Sequence, residues 1–575
     1  MKRFFLAIPA MLLAACSVPE DGLHTLHVLT TNDVHGSWFD STYVDGNVRN
    51  SLFAVNHYVD SIRREVGEDN LLLIDGGDCL QGDNASYYYN YVAVDEPHLY
   101  PRIAEYMGYD AVCVGNHDIE TGHDVFDRVG RELSAKGIAF LGGNALDSQS
   151  GKPYFMEYKV FRKAGLKVLV LGYTNPNIPA WLDEEVWSGM EFESLLPYVQ
   201  LSVDKISSRV RPDVVIVVAH SGTGDGDGSQ YENQGLDLFR SLRGVDYLIC
   251  AHDHSPYSAV TDSIIMSDAG SRASYLGHAC ISVDVKDGKA VAKDSDVTLV
   301  KVDRRLADAQ MREKFYPEYR KVKEFTLREV GSLGQDLYTR DSYKGMCGYM
   351  NLLHTVQLSV PEAELSLAAP LTYNGVIKAG TLKYNDMFTI YPYENQLFVV
   401  SLSGEEIKSI LEYSYEGWIQ NDGEHILRIS EGSDARTGQE RWSFVNRSYN
   451  FDSCAGLNYT VDVTAPFGSR VCISGLADGS EFDMGARYNV AMTSYRASGG
   501  GGHLTSGAGL KDDAIAERIV AKYPEIREMV YRFFCEKENV DTDDFSDVNV
   551  IGEWSFVPAS CSAVIESDFD LLFNL

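Results

Sequence analysis

Five short apolar runs in the first half of the chain each end in side chains that can ligate a metal or move a proton. Residues 26–30 lead into Asp33 and His35, residues 71–74 into Asp75-Gly76-Gly77-Asp78, and residues 111–114 into Gly115-Asn116-His117-Asp118. Residues 214–219 end at His220, and residues 247–251 at His252-Asp253-His254. Aspartate, asparagine and histidine are hard or borderline donors suited to zinc, manganese, iron and similar divalent ions. Singly each is ordinary, because Asp-Gly or Asn-His after a strand is common turn chemistry. Together they supply donors for two ions if one carboxylate bridges. Two such ions can activate a water and clamp both oxygens of an in-line displacement at phosphorus.

The runs that must position these residues, with a further one at 168–172, are apolar throughout rather than alternating. That pattern predicts strands covered on both faces, with helical segments between them. Donors collected at the carboxyl ends of several strands are where open α/β sheets build ligand sites.

The whole chain has 575 residues, 45 % hydrophobic and 23 % charged, with a formal net charge of −33. This composition excludes wholesale disorder, and the length predicts more than one domain. The acidity argues against a nucleic-acid polymer as partner, since phosphate backbones are held by clustered Lys and Arg. It does not exclude a small anion, because bound cations reverse the local field. A first unit spans 24–302. The densely charged stretch 303–332, with Phe315, Tyr319 and Val322 at helical spacing and Pro317 among them, reads as a partly helical linker. A mixed α/β unit follows over 333–545, and the tail 546–575 has no assignment.

Residues 1–16 read as an export address. Lys2 and Arg3 precede an apolar run too short to span a bilayer, which ends at Leu13-Ala14-Ala15-Cys16. This segment resembles a bacterial lipoprotein signal, which implies a lipid anchor at Cys16 and attachment to the cell envelope. The nine other cysteines include no Cys-x-x-Cys pair, and their odd number cannot all pair within one chain. Cys113 and Cys250, inside strand-like runs, are expected to be buried free thiols.

The set Asp33-x-His35, Gly77-Asp78, Gly115-Asn116-His117-Asp118, His220 and His252-x-His254 resembles the signature of the calcineurin-like metallophosphoesterases. The resemblance implies a four-layer α/β/β/α domain holding two divalent metal ions. Asp33, His35 and His254 would bind one ion, Asn116, His220 and His252 the other, and Asp78 would bridge. His117, oriented by Asp118, would act as general acid at the leaving oxygen. His123, His278 and the remaining histidines match no motif and read as structural.

The unit that follows makes nearly the whole chain similar to the exported nucleotidases, whose C-terminal α/β domain reads a small-molecule nucleotide. The matching stretches are Asn374-Gly375, 390–395, 449–452 with Gly456, and 494–500. They imply Tyr393 and Tyr495 as the two faces of a base sandwich, Asn395 on the base edge, and Asn374 beside the substrate. Lys378 stands where the 5′-nucleotidases carry an arginine, and Gly499 to Gly502 lacks their aspartate. The glycines either admit backbone N–H groups to a phosphate or form a flexible loop. The strings Tyr-Pro-Tyr-x-Asn, Tyr-Asn-Phe-Asp and Tyr-Arg-Ala-x-Gly-Gly are most similar to the bifunctional 2′,3′-cyclic-nucleotide 2′-phosphodiesterase/3′-nucleotidases. A 5′-nucleotidase or UDP-sugar hydrolase, and a non-catalytic nucleotide-capturing lipoprotein, are the competing readings.

Overall fold

The all-apolar runs become central strands because each has a layer on both sides. In the computed structural model, which describes residues 19–574 except 183, 394, 421–422 and 434–439, two six-stranded sheets make up the first half. Residues 1–16, the expected export address with Cys16, lie outside the described residues, and no described helix is long and apolar enough to cross a membrane. The first sheet runs Lys289–Lys301, Tyr275–Lys286, Gly22–Thr31, Leu71–Asp75, Ala111–Cys113, Ala139–Leu141. Its last four strands are parallel, so their carboxyl ends share one edge. The second runs Tyr257–Val260, Ile265–Asp268, Tyr247–Cys250, Val214–Ala219, Leu166–Tyr173, Tyr158–Lys163, with the four inner strands parallel.

Leu26, Val28, Ile74, Val170, Ile216 and Ile249 meet between the two sheets in one buried cluster. Helices close both outer faces: Leu52–Val66, Leu99–Met107 and His123–Ala135 pack on the first sheet, and Leu195–Val210 and Gly235–Ser241 on the second. This is the expected four-layer α/β/β/α arrangement. Cys113 and Cys250 are fully buried, and all nine described cysteines are free thiols.

The charged stretch is less a loose connection than expected. It forms one continuous helix, Ala309–Thr326, through Pro317, capped by Asp308, whose carboxylate accepts from the Met311 N–H at 2.7 Å. Met311, Phe315 and Val322 are buried in the core of the first unit, whereas Phe325 belongs to the core of the second. Tyr87 stacks on Phe325, and the Arg328 guanidinium lies 4.1 Å from the centre of the Phe325 ring. The units therefore meet at a packed aromatic joint.

In the second half a five-stranded sheet, ordered Ser453–Ala455, Leu365–Ala368, Arg487–Thr493, Gln396–Ser403, Ile519–Glu525, carries helix Gly404–Trp418 on one face. Helices Gly348–Leu358, Tyr384–Ile390 and Ile526–Lys537 cover the other. The unassigned tail is part of this unit. Strand Trp554–Val557 pairs with Leu457–Asp462, and helix Ser562–Phe573 brings Asp568 to accept the backbone N–H groups of Ile426 and Leu427 at 2.8 and 2.9 Å.

Candidate active site between the two units

The loops after the parallel strands bend sharply enough to turn every donor toward one point. Asp33, His35, Asp78, His252 and His254 have φ values of 46°, 48°, 58°, 87° and 60°, in the left-handed region that non-glycine residues seldom occupy. Such strain costs about 1–3 kcal/mol per residue and gathers at functional sites. Backbone bonds from Asp33 N to Gly77 O (3.0 Å) and from His35 N to Asp78 O (2.9 Å) lock two of these loops together. Close approach also requires Gly115, where a Cβ would stand 2.0 Å from Asp78 Oδ1 and 2.5 Å from its backbone nitrogen. Gly115→Ala is expected to destabilise by about 1–3 kcal/mol and to lower metal content, checked by thermal unfolding and metal analysis. An unchanged melting temperature would contradict this packing.

The donors form two groups, Asp33 with His35 and His254, and Asp78 with His220 and His252. The Nε2 atoms of His35 and His254 stand 2.9 Å apart. His220 Nε2 lies 3.1 Å from Asp78 Oδ2 and 3.9 Å from Asp33 Oδ1, so the groups adjoin. Asn116 Oδ1 lies between His220 Nε2 and His252 Nδ1, at 3.1 and 2.9 Å. Asp33 Oδ1 is buried without a hydrogen-bond partner, and Asp78 Oδ2 is buried with only the His220 imidazole beside it. Unpartnered buried oxygens facing convergent imidazoles are costly in a protein alone and fit divalent cations.

Electrostatics agree. Burial holds His35 well below its ordinary pKa and pushes His254 down to about 4, leaving neutral nitrogens to donate. Burial raises Asp33. At Asp78 burial acts upward, but His220 and His117 outweigh it and hold the carboxyl well below the usual range. His220, despite burial, is raised to about 10 by Asp78. A dication would supply the positive charge that this proton supplies in the protein alone.

Around these donors stand groups the sequence reading did not single out. His252 Nε2 lies 2.8 Å from Glu232 Oε1, and the ring stacks on Trp181 at 5.4 Å. His117 Nδ1 lies 2.7 Å from Glu120 Oε2. The expected orienting role of Asp118 is therefore corrected. Its buried carboxylate accepts from the backbone N–H groups of Gly115, Asp78, Cys79 and Leu80 at 2.8–2.9 Å and ties two ligand loops together. Neighbours in a helix point about 100° apart, whereas residues three apart share a face. The i,i+3 spacing of His117 and Glu120 is the signal that could have found the partner.

Above the donors lies a cavity of about 380 Å³ whose wall includes His117 and His254 from the first unit and Tyr393, Asn395, Tyr449 and Tyr495 from the second. Tyr393 and Tyr495 are 46 % and 40 % exposed, so their rings are accessible for contact rather than consumed in the core. Asn395 Nδ2 donates weakly to Tyr391 Oη at 3.4 Å. Gln357, missed in the sequence because it sits in an ordinary amphipathic helix, also lines the cavity, and its buried Nε2 lacks a partner. Arg496 is buried in the wall and paired through Nε with Asp452 Oδ2 at 2.7 Å.

Asn374 is corrected: it sits exposed on a turn and is not among the residues lining the cavity. Lys378 pairs with Asp336 at 2.7 Å on the surface. The glycine run is a packing device. A Cβ at Gly500 would strike the Tyr495 ring at 2.5 Å, and one at Gly502 the Tyr413 hydroxyl at 2.6 Å.

Comparison with known proteins agrees with this architecture. The family described as calcineurin-like phosphoesterase matches residues 26–256, and 5'-nucleotidase, C-terminal domain, matches residues 325–506. The trifunctional nucleotide phosphoesterase protein YfkN of Bacillus subtilis is 23 % identical over 629 aligned positions, covering 96 % of this chain and 41 % of YfkN. The chain thus spans about two fifths of that relative's length. A 2',3'-cyclic-nucleotide 2'-phosphodiesterase/3'-nucleotidase of Haemophilus influenzae is 21 % identical, with 99 % of this chain and 94 % of that protein covered. A solved structure, the 5'-nucleotidase precursor of Thermus thermophilus, superposes with a TM-score of 0.58 at 18 % identity, covering 93 % of this chain and 99 % of the other. The chain belongs to the calcineurin-like phosphoesterases that carry a 5'-nucleotidase C-terminal domain, and it is a phosphoric ester hydrolase.

Proposed function

We propose that the protein hydrolyses 2′,3′-cyclic nucleotides to 3′-nucleotides, and these to nucleoside and phosphate, with the two steps sharing one site. The observation that carries the reading is the single cavity in which His117 and His254 face Tyr393 and Tyr495. The cyclic branch is preferred on the strings at 391–395, 449–452 and 495–500 and on the name of the Haemophilus relative.

Asp33, His35 and His254 would hold one divalent ion and Asn116, His220 and His252 the other, with Asp78 between them. When bound, the pair supplies an activated water and neutralises charge at phosphorus. Tyr393 and Tyr495 hold the base by stacking, while Asn395 and Gln357 offer amide groups to its edge. His117, steadied by Glu120, delivers a proton to the leaving 2′ oxygen in the first step and to the 3′ oxygen in the second. The leaving oxygen changes between steps, so the 3′-nucleotide must turn or rebind. Units 24–302 and 333–545, with the tail added to the second, would then divide phosphate chemistry from base reading.

Each tyrosine stack is worth about 1–3 kcal/mol. Tyr393→Ala and Tyr495→Ala are accordingly expected to raise KM for 2′,3′-cyclic AMP by about 5–150-fold. Turnover of p-nitrophenyl phosphate, which has no base, should stay unchanged. Equal losses on both substrates would contradict the sandwich. Initial rates on 2′,3′-cyclic AMP, 3′-AMP and 5′-AMP test the branch, and turnover of 5′-AMP alone would favour the 5′-nucleotidase reading.

Residues 1–16 support export with Cys16 as a lipidated N-terminus. Palmitate labelling that persisted in Cys16→Ser would contradict the anchor.

A further inference from the structure

The outer face of the first sheet carries a row of polar side chains where the helical layer elsewhere packs apolar ones. In strand Tyr275–Lys286 the residues Ala279, Ile281 and Val283 point into the core between the sheets, which puts His278, Cys280 and Ser282 on the other face. The antiparallel register sets His27 of strand Gly22–Thr31 directly across from Cys280. His27 Nδ1 lies 3.0 Å from His278 Nε2 and 3.3 Å from Cys280 Sγ, and the third edge, Cys280 Sγ to His278 Nε2, is 3.6 Å. All three residues are half-buried.

At zinc bond lengths of about 2.0–2.1 Å to nitrogen and 2.3 Å to sulfur, a tetrahedral ion sets its donors about 3.3–3.6 Å apart. The two edges to sulfur, 3.3 and 3.6 Å, have those dimensions, and the 3.0 Å nitrogen–nitrogen edge need open only by about 0.3 Å. Hydrogen bonds cannot fill all three edges of this triangle, because His27 Nδ1 faces two partners and has one hydrogen or one lone pair to offer. Burial holds both imidazoles below their ordinary pKa, and the Glu65 carboxylate acts on both rings. Burial, and then the Asp296 carboxylate, push the Cys280 thiol up, so that it keeps its proton until a cation replaces it. The neighbourhood thus pairs neutral nitrogens with negative charge, as a cation requires. His27 is four residues before the strand end at Thr31, about 13 Å at 3.3 Å per residue, so this cluster is separate from the donors that begin at Asp33.

We propose that His27, His278 and Cys280 form a third metal site, for a zinc-class ion, that clips the first strand of the sheet to the strand returning beside it. Cys280 releases its thiol proton on binding and ligates as thiolate, and the fourth position is left to water or a neighbouring carboxylate. The catalytic donors are nitrogen and oxygen only, which makes sulfur a private label for this site.

The test uses full-length protein loaded with Co²⁺ and, separately, Zn²⁺. A near-ultraviolet thiolate-to-cobalt charge-transfer band is expected in the wild type and absent in Cys280→Ser. Zinc content should fall by one ion per chain in Cys280→Ser and in His278→Ala, with phosphoesterase turnover retained within about twofold. In the wild type, which needs no substitution to fold, Zn²⁺ should slow iodoacetamide labelling of Cys280 at least tenfold, read by peptide mass spectrometry. Absence of the band in the wild type, its persistence in Cys280→Ser, or labelling of Cys280 indifferent to Zn²⁺ would overturn the site.

Discussion

His117→Ala is expected to lower kcat for both 2′,3′-cyclic AMP and 3′-AMP by about 10²–10⁴-fold, the range for losing a positioned proton donor. KM should move little, because the ring touches the leaving oxygen rather than the base. The variant should fold normally, since His117 lines the cavity and is not part of the packed core. A further readout separates proton donation from simple cavity damage. A substrate whose leaving group needs no proton, such as p-nitrophenyl phosphate, should lose much less in the variant than the nucleotides do. Equal losses on both, or no loss on either, would remove His117 from the role. Glu120→Gln should give a smaller loss of the same pattern, because it keeps the shape and removes the charge that fixes the ring.

Asp78→Asn is expected to have an effect of comparable size, accompanied by loss of metal. The carboxylate lies 3.1 Å from His220 Nε2 through one oxygen and accepts the His117 backbone N–H at 2.9 Å through the other. The amide retains the volume but cannot neutralise two cations. Metal content should fall below two ions per chain after dialysis, and kcat/KM should drop about 10³-fold or more, because each lost ion removes several kcal/mol of charge stabilisation. Retention of two ions with near-normal turnover would show that Asp78 does not bridge.

The candidate metal donors were legible because each follows a short all-apolar run of the kind that suits a strand covered on both faces. Their spacing along the chain says nothing of distance, yet parallel strands bring their ends to one edge whatever separates them in sequence. Glu120 was legible in principle from the i,i+3 rule but was obscured by Asp118, the sequence neighbour of His117. Backbone geometry gave Asp118 a different task, that of acceptor for four N–H groups. Tyr393 and Tyr495, singled out by their strings, line the cavity, as does Gln357, which has no local signal because the meaning of an amide inside a helix comes from the cavity it borders. Asn374 shows the converse, a stretch that matches in sequence but stands on an exposed turn.

The tail was illegible for a different reason. Its strand exists only by pairing with Leu457–Asp462 about a hundred residues earlier, and no local periodicity announces a partner that remote. The helix Ala309–Thr326 lay between these cases. The stripe of Phe315, Tyr319 and Val322 was visible, but the stripe alone could not tell which core would receive it. The structure shows one helix serving two cores, Met311 to Val322 in the first and Phe325 in the second. Motion between the units, which substrate exchange at a shared cavity requires, would therefore be expected at the aromatic joint of Tyr87, Phe325 and Arg328 rather than along the charged helix.

The proposed function requires one cavity to perform two successive hydrolyses with different leaving oxygens. A phosphorus-31 NMR time course on 2′,3′-cyclic AMP tests this most directly. The cyclic resonance should decline as 3′-AMP rises and then gives way to inorganic phosphate, with both conversions lost together in His117→Ala. Appearance of 2′-AMP in place of 3′-AMP, or a cyclic resonance that persists while 5′-AMP is hydrolysed under the same conditions, would contradict it.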